Sequence, residues 1–464
     1  MSRSSSRRGT EAPMNPAVTP HSDPALRRRV AVSSLLGTAI EYYDFLLYST
    51  MTALVFNKVF FPDSNPALGT IAAFGTLAAG YVARPIGGVL FGHFGDRIGR
   101  KSMLVLTMLL MGASSFLIGV LPTYAGVGIL APLLLVLLRV VQGVAIGGEW
   151  GGATLMVTEH AEPGRRGFWN GIMQMGSPIG SLLSTGVVAV VALLPEEDLL
   201  SWGWRIPFLA SIVLLAAGVY LRIGVTESPV FQAAAAEAEP APRIPFVAIL
   251  QRPATLLLAC GIGIGPFALT ALLSTYMISY ATNIGYDRSS TVNGLLFVST
   301  TAFIAIPLFS ALSDRVGRRP VVLGGAIGIV ILAWPIYTMV DSGSVPLLFA
   351  AMVLGQCAQS AMFAPLGALL SEMFGTAVRY TGASMGYQFA ALLGGGFTPL
   401  VASALLVGGP DSTPLILLAV GCGLVTVLCI SRVRETRGAD LHSAVTGAAV
   451  DTARPVPSAE GSGH

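Results

Sequence analysis

Residues 92–101 read Gly-His-Phe-Gly-Asp-Arg-Ile-Gly-Arg-Lys, and residues 310–319 read Ser-Ala-Leu-Ser-Asp-Arg-Val-Gly-Arg-Arg. Both stretches are short, charged and set between two long apolar segments, which is the pattern of a cytoplasmic turn that joins two membrane helices. One such stretch arises readily by chance, whereas two at matched positions indicate that a helical unit was duplicated. The sequence therefore predicts a membrane protein built of two related halves.

The composition of the chain is typical of a protein with many membrane helices. Of its 464 residues, 53% are hydrophobic and 11% are charged, and the mean hydropathy is +0.72. Soluble domains carry about 25% charged residues. With about 20 apolar residues per span and short loops, the chain has room for about twelve helices. We therefore predict an all-α membrane protein with twelve transmembrane helices in two six-helix bundles.

Breaks in the apolar pattern divide the chain into five parts. Residues 1–28 are rich in Ser, Pro and Arg, and they predict a disordered cytoplasmic tail. Residues 29–222 and 253–432 each hold six apolar segments, and they predict the N-terminal and C-terminal bundles. Residues 223–252, rich in Ala, Glu and Pro, predict a cytoplasmic linker, and residues 433–464 predict a second cytoplasmic tail.

The basic residues indicate which loops face the cytoplasm. With twelve helices and an inner N-terminus, the predicted cytoplasmic segments hold most of the Arg and Lys residues between the tails, Arg222 among them. The outer loops keep only Lys58, Arg205 and Arg288. This asymmetry follows the positive-inside rule and predicts a multi-pass protein of the cell membrane with both termini in the cytoplasm.

A second repeat supports the duplication. Glu159 precedes Arg166 by seven residues after the fourth predicted helix, and Glu372 precedes Arg379 by seven residues after the tenth. The equal spacing at matched places is independent support for two related halves.

Few ionisable residues lie inside the predicted spans, and all of them fall in the N-terminal half: Glu41, Asp44, Arg84, Arg139 and Glu149. An ionisable group at membrane depth is costly unless it is paired or faces a water-filled cavity. Glu41 and Asp44 are three residues apart, so they share a helix face. Arg139, Gln142 and Glu149 follow one another at helical spacing and line one stripe of the fourth helix.

Two interpretations of these charges are open. In the functional one, a carboxylate in an apolar surround takes up and releases a proton, and an arginine clamps the carboxylate of a substrate. In the other, the charges form a structural ion-pair lattice that joins the first, second and fourth helices. The C-terminal half offers neutral polar side chains instead, among them Tyr276 and Gln359, which can orient a polar solute. No histidine lies in the middle of a predicted span, so a histidine proton relay is disfavoured.

Four further motifs occur in order along the chain: Glu-Tyr-Tyr-Asp-Phe at 41–45, Arg-Pro-Ile-Gly-Gly at 84–88, the stretch 139–152, and Trp-Gly-Trp-Arg-Ile-Pro-Phe at 202–208. Together with the duplicated turn, they resemble the metabolite:proton symporter family of the major facilitator superfamily. Members of that family import shikimate, α-ketoglutarate, other organic acids, or proline and betaine, driven by the proton gradient. The resemblance implies the same class of activity here. It also implies that Asp96 and Arg100 form part of a cytoplasmic latch against the other half.

Three sets of site residues are predicted on these grounds. Proton coupling is predicted for Asp44, Glu41 and Glu149. Substrate binding is predicted for Arg139, Tyr43, Gln142, Trp150, Tyr276 and Gln359. The gating residues of the cytoplasmic latch are predicted to be Asp96, Arg97, Arg100, Asp314, Arg315, Arg318 and Arg84.

The leading hypothesis is a monomeric, proton-coupled importer of a small organic acid (shikimate, dicarboxylate or monocarboxylate type) that works by alternating access. The nearest alternative is a proton symporter for proline or glycine betaine, because aromatic rings near the carboxylates can bind a quaternary ammonium: Tyr42, Tyr43, Phe45 and Trp150. A drug/proton antiporter is a third possibility, and the four family motifs argue against it. The chain shows no catalytic cluster, metal-ligand spacing or phosphate-binding loop, so we predict no enzyme activity, metal, cofactor or nucleic-acid partner.

Overall fold

The computed structural model describes residues 24–62, 66–228, 230–232, 245–251, 253–405, 411–439 and 441. Within these residues the secondary structure is helical and no sheet forms. Ten helices of this part of the chain are long and apolar enough to cross a membrane. The prediction of an all-α membrane protein is confirmed.

The N-terminal half consists of six long helices in chain order. These are α1 (Pro24–Val59), α2 (Pro66–Ile98), α3 (Arg100–Val120), α4 (Leu130–His160), α5 (Pro163–Val191) and α6 (Arg205–Ile223). Two short helices, Tyr124–Val127 and Glu196–Asp198, lie in the connections before α4 and before α6.

The C-terminal half repeats this arrangement. Its helices are α7 (Pro253–Ser274), α8 (Arg288–Val316), α9 (Arg318–Asp341), α10 (Val345–Met373), α11 (residues 379–405) and α12 (Thr413–Ser431). The chain of α7 continues through Met277–Asn283 before it turns into α8.

The two helices outside the ten apolar ones, α2 and α11, lie on the seam between the halves. The cytoplasmic part of α11 packs on α2 and α4, and α5 packs on α8 in the matching place. Helices at such a seam need small and polar side chains, because backbones approach closely and polar groups bond across.

Helix α11 is interrupted at Phe397, and helices α5 and α10 are interrupted nearer to their cytoplasmic ends. Helix α5 consists of the short turn Pro163–Arg165 followed by Arg166–Gln174 and Gly176–Val191, and α10 consists of Val345–Phe363 and Leu366–Met373. Proline causes the breaks in α5 and α10, since it lacks an N–H and its ring collides with the carbonyl four residues earlier. Pro178 opposes the carbonyl of Gln174, and Pro365 stands in the gap of α10.

The structure corrects three predicted boundaries. Helix α1 begins at Pro24, inside the predicted tail, because proline favours a first helical position and Arg27 anchors the turn to Glu162 at 2.6 Å. The predicted linker contains a helix, Pro245–Leu250, which packs its Ile249 side chain in an apolar cluster with the start of α11. The start of the predicted C-terminal tail folds back on the bundle. Residues 1–23 and 442–464 of the predicted tails lie outside the described residues.

Candidate functional site

The carboxylates of α1 lie inside the N-terminal bundle. Asp44 is 1% exposed, and neither of its carboxylate oxygens has a hydrogen-bond partner among the described residues. Glu41 is 4% exposed, and its Oε2 atom is also buried without a partner there. Their three-residue spacing places both on one face of α1, as the sequence predicts.

Arg139 on α4 lies near Asp44. Its Nη1 donates to Oε1 of Gln142 at 2.5 Å, and Nε2 of Gln142 donates to Oγ of Ser115 on α3 at 2.7 Å. Its guanidinium lies over the ring of Tyr48 with 4.1 Å to the centroid, and its Nε is buried without a partner in the described chain. A Cβ at Gly80 of α2 would come within 2.9 Å of this Nε, so glycine there leaves room for the arginine.

Arg84 lies at the same central site and not at the cytoplasmic latch for which it is predicted. Its guanidinium is 4.4 Å from the centroid of Tyr81 and 5.2 Å from that of Phe45. Arg139 also lies over Phe45, at 5.8 Å. The two arginines therefore flank one aromatic ring of α1, because Arg84 on α2 projects back to the depth at which Phe45 sits.

These four ionisable residues form no ion pair with one another in the described part of the chain. These side chains therefore do not form the ion-pair lattice that the structural interpretation of the sequence predicts. Asp44, Glu41 and Arg139 all lie buried inside the N-terminal bundle. Their roles in proton coupling and substrate binding stay predictions.

Glu149 is separated from this group by an ion pair with Arg222. Its carboxylate accepts from the Arg222 guanidinium and from Oγ1 of Thr107, the latter at 2.6 Å. Arg222 is 3% exposed at the end of α6, so its assignment to a cytoplasmic loop was wrong. Helix α6 extends two residues further than the hydropathy suggests, because Arg222 pairs with the Glu149 carboxylate inside the bundle. The proton-coupling role predicted for Glu149 stays a prediction.

Loss of one member of this pair is expected to destabilise the protein. Glu149→Gln leaves Arg222 buried without a countercharge, which costs about 3–5 kcal/mol for pairs of this kind. We expect a clearly lower midpoint of thermal unfolding for the purified variant in detergent. The double variant Glu149→Gln/Arg222→Met removes both charges and is expected to recover most of the loss. An unchanged midpoint in the single variant would contradict a structural role of the pair.

Other predicted substrate-binding side chains already have partners. Tyr43 donates its hydroxyl to the Pro207 carbonyl at 2.8 Å and packs in an apolar cluster of the N-terminal half, so it does not line an open site. Tyr276 donates to the Ala402 carbonyl at 3.3 Å. Gln359 donates to Oγ1 of Thr270 at 2.9 Å within the C-terminal half. Trp150 stacks on Tyr387 of the other half, 3.5 Å between centroids.

The aspartates of the duplicated turn join the two halves. Asp96, at the end of α2, accepts from the backbone N–H of Tyr380 at 3.1 Å and of Thr381 at 3.0 Å. Asp314, at the end of α8, accepts from the backbone N–H of Gly167 at 2.9 Å and of Phe168 at 2.7 Å. Each aspartate thus binds the first turn of a helix of the opposite half, where N–H groups are unpaired and the helix dipole favours a negative charge.

The Glu and Arg residues of the second repeat pair across the halves. Arg379 of α11 bonds Glu159 of α4 at 3.1 Å, and Arg166 of α5 bonds Glu372 of α10 at 3.5 Å. The turn arginines support them: Arg100 lies 3.3 Å from Glu159, and Arg318 lies 3.3 Å from Glu372. The predicted latch residues Asp96, Arg100, Asp314 and Arg318 therefore lie in two matched sets of contacts, one around Glu159 and one around Glu372, whereas Arg97 and Arg315 are exposed at the cytoplasmic rim.

A third repeat adds one glutamate to each set, and the sequence prediction missed it. Glu227, after α6, accepts from the backbone N–H of Lys101 at 3.1 Å, and Glu435, after α12, accepts from the N–H of Arg318 at 2.8 Å. The turn glycines leave room for these carboxylates. Gly99 has φ 118°, and a Cβ there would lie 2.3 Å from Oε2 of Glu227. A Glu-Ser or Glu-Thr pair after the last helix of each half is the signal that would have revealed it.

The hydrogen bonds and ion pairs that join the halves in the described chain lie toward the cytoplasmic ends of the helices. Unpaired charges lie deeper, in the N-terminal bundle. Two related helical bundles that are bonded at one membrane face, with charged groups at mid-depth, are typical of a membrane transporter.

Comparison with known proteins identifies the family. Residues 30–247 match the family model "Sugar (and other) transporter", and residues 287–455 match the model "Major Facilitator Superfamily". The chain is 41% identical over 403 residues to the shikimate transporter of Escherichia coli (strain K12), covering 85% of this chain and 92% of that one. It belongs to the major facilitator superfamily, in the group that holds shikimate, metabolite and proline/betaine transporters, and it is not an enzyme.

Two further comparisons frame this result. A proline/betaine transporter of Salmonella typhimurium is 34% identical over 446 residues, with 93% of this chain and 88% of that one covered. Among solved structures, the proton:xylose symporter XylE matches with a TM-score of 0.74 at 18% identity, over 90% of this chain and 98% of that one. This structural likeness confirms the fold, and relatives that include shikimate, metabolite and proline/betaine transporters do not settle the substrate.

Proposed function

We propose that the protein is a proton-coupled symporter that imports a small organic acid across the inner membrane, as a monomer with both termini in the cytoplasm. The observation that carries the proposal is the pair Asp44 and Arg139. Both side chains are buried, the carboxylate oxygens have no hydrogen-bond partner among the described residues, and the arginine bonds only the neutral Gln142 there. An unpaired buried charge is costly. A bound proton therefore stabilises the buried Asp44 side chain, and a bound anion stabilises the buried Arg139 guanidinium.

The coupling follows from charge balance at the site. A proton bound by Asp44 removes the negative charge nearest to Arg139, which then attracts the carboxylate of a substrate. The planar guanidinium presents parallel N–H groups that fit a carboxylate in a bidentate pair. A proton and a substrate carboxylate group together add no net charge to the site, so the binding of each favours the binding of the other.

The aromatic contacts favour an acid over a quaternary ammonium. Phe45 already faces the guanidinium groups of Arg84 and Arg139, and Tyr48 and Tyr81 each face one of them. A ring that binds a cation of the protein is not free to bind a ligand cation in the same way. Two other rings of the suggested cage, Tyr43 and Trp150, are each 1% exposed and packed against protein.

Uptake into proteoliposomes under an imposed inward proton gradient tests the proposal. The solutes are shikimate, α-ketoglutarate and small monocarboxylates on one side, and proline and glycine betaine on the other. We expect gradient-dependent uptake of an acid, and a loss of about 100-fold in kcat/KM for Arg139→Ala, because a buried charge-assisted pair is removed. Arg165→Ala, at an exposed arginine of the cytoplasmic side, is the matched control. Uptake of betaine and not of any acid would contradict the proposal.

A further inference from the structure

A small polar cavity opens among α1, α3, α4 and α6, at the end of the N-terminal bundle where the duplicated turn lies. Four apolar side chains form part of its wall, and its polar lining consists of Ser33, Ser34, Lys101 and Arg222. We name it the basic cavity. Its interior has room for about one water-sized group. A ligand can therefore place one oxygen atom inside the cavity and keeps its other atoms at the mouth.

Two hydroxyl groups line the basic cavity without a partner. Ser33 is 2% exposed and Ser34 is 3% exposed, and neither hydroxyl forms a hydrogen bond within the described part of the chain. The Ser34 carbonyl accepts from Thr38 at 3.1 Å, as in a regular helix, and this bond leaves the Ser34 hydroxyl free. Buried hydroxyl groups are costly when they stay unbonded. An acceptor atom that enters the cavity satisfies both of them.

Two cations stand beside the basic cavity without a countercharge. The Nζ of Lys101 donates to the Ile223 carbonyl at 2.9 Å, which leaves two of its three N–H groups for a ligand. The Arg29 guanidinium lies against Gly224 at the end of α6, where a Cβ would collide with it. Neither cation forms an ion pair among the residues that the structure describes. Glu227 lies at the same turn, but its carboxylate accepts from backbone N–H groups at the start of α3.

These donors select the chemistry of the ligand. Arg222 adds no net charge to the wall, because it pairs with Glu149. What remains is two hydroxyl groups and two cations, a set that suits an anion with several acceptor oxygens. A phosphate group directs its oxygens away from one another, so one oxygen can reach the serines while others meet the cations at the mouth. A carboxylate, with only two oxygens in one plane, leaves part of this donor set unused.

The surface around the mouth indicates that the phosphate belongs to a lipid. Val32 of α1 is 46% exposed, and Tyr220 and Ile223 of α6 are 74% and 62% exposed. Apolar side chains on the outside of a membrane bundle contact acyl chains, and a tyrosine near a helix end is typical of headgroup depth. Basic pockets between membrane helices at this depth suit anionic headgroups. A lipid can thus place its chains on this surface and its phosphate in the cavity.

We propose that the basic cavity binds the phosphate group of an anionic phospholipid, from the leaflet on the side of the duplicated turns. Ser33 and Ser34 donate to one phosphate oxygen, and Lys101 and Arg29 bind the others. The bound headgroup joins the ends of α1, α3 and α6, so it stabilises the N-terminal bundle. The proposal needs neither the substrate nor the proton site.

Native mass spectrometry of the full-length protein in detergent tests the site. The probe is dioctanoyl phosphatidylglycerol, and the measured quantity is its dissociation constant. We expect Lys101→Gln to weaken binding about tenfold, because a charge-assisted hydrogen bond is lost while glutamine can still donate to the Ile223 carbonyl. The double variant Ser33→Ala/Ser34→Ala, which changes the packing little, is expected to weaken binding about fivefold.

Arg319 provides the matched control. It takes the place of Lys101 in the second duplicated turn and donates to the Ser431 carbonyl at 3.0 Å. Arg319→Gln removes the same charge from the same membrane face, so it should leave the dissociation constant within about twofold of the parent. An equal loss in Arg319→Gln and Lys101→Gln would mean unspecific attraction and would overturn the site. Parent affinity in both Lys101→Gln and the serine double variant would overturn it as well.

Two further probes identify the source of the phosphate. Dioctanoyl phosphatidylcholine has the same chains and a phosphate whose charge its own ammonium balances, and it should bind about tenfold more weakly. Glycerol 3-phosphate has the phosphate without the chains, and it should bind about tenfold more weakly or less, because no apolar surface is buried. Glycerol 3-phosphate that binds as tightly as phosphatidylglycerol would exclude a lipid site. Because binding is measured without substrate or gradient, its failure is distinct from a failure to find proton-driven uptake.

Discussion

Asp44→Asn is expected to abolish proton-driven accumulation of substrate while leaving folded protein in the membrane. Asparagine is close in size to aspartate but carries no exchangeable charge at this buried place, where the carboxylate is 1% exposed. A transporter that cannot take up the proton still binds substrate and changes access, so exchange of labelled for unlabelled substrate should continue within about threefold of the parent rate. The measurement compares gradient-driven uptake with exchange in the same proteoliposomes.

The two readouts make this prediction selective. Loss of both uptake and exchange would indicate a damaged binding site or fold, and normal accumulation would exclude Asp44 as a proton carrier. Glu197→Gln, at an exposed carboxylate of the outer connection, is the control and should accumulate substrate normally. Glu41→Gln in the same assay shows whether the second carboxylate of this face of α1 shares the role.

Repeats in the sequence predict the fold well, because duplication leaves the same polar residues at the same depth in both halves. The turn motif at Asp96 and Asp314, and the pairs Glu159/Arg166 and Glu372/Arg379, indicate two six-helix halves without any contact being known. That the pairs cross between halves does not follow from spacing. It depends on how α4 and α10 meet α5 and α11 at the seam.

The central site is predicted in part, for a related reason. Hydropathy identifies Glu41, Asp44 and Arg139, because charges stand out in an apolar span. Arg84 is assigned to the cytoplasmic latch and Arg222 to a loop, because hydropathy does not show in which direction a long side chain extends along its helix. The partners of each side chain decide its direction. Arg84 contacts Phe45 and Tyr81, and Arg222 pairs with Glu149. Such partners are far apart in sequence.

Arg379→Gln is expected to shift the protein strongly toward a state that is open to the cytoplasm. The change removes the bond of Arg379 to Glu159 across the halves while Arg100 still neutralises Glu159 within its own half. Arg379 is 1% exposed, and a hydrogen bond between charged groups contributes about 1.5–3 kcal/mol. The inward-open state does not need the bond, so the equilibrium between the states should move by about 10- to 100-fold.

The distance between the cytoplasmic turns measures this shift. Spin labels at Ile98→Cys and Val316→Cys, both exposed at the ends of α2 and α8, are placed in a chain without the native cysteines. Pulsed electron paramagnetic resonance should show one short distance for the parent and a longer, dominant one for Arg379→Gln. Arg27→Gln, which breaks the 2.6 Å pair with Glu162 inside one half, should leave the distribution unchanged.

The repeated architecture adds a sharper form of this test. Arg166→Gln removes the matching bond to Glu372, whose 3.5 Å separation is longer than the 3.1 Å of the Arg379 pair. If both pairs hold the same closed state, each single variant populates the longer distance and the double variant does so fully. A distribution that stays short in Arg379→Gln would mean that the aspartates, which bind helix starts through backbone N–H groups, close the cytoplasmic face without the ion pairs. Asp96→Asn and Asp314→Asn would then be expected to open it instead, because the negative charge that the helix dipole favours is lost.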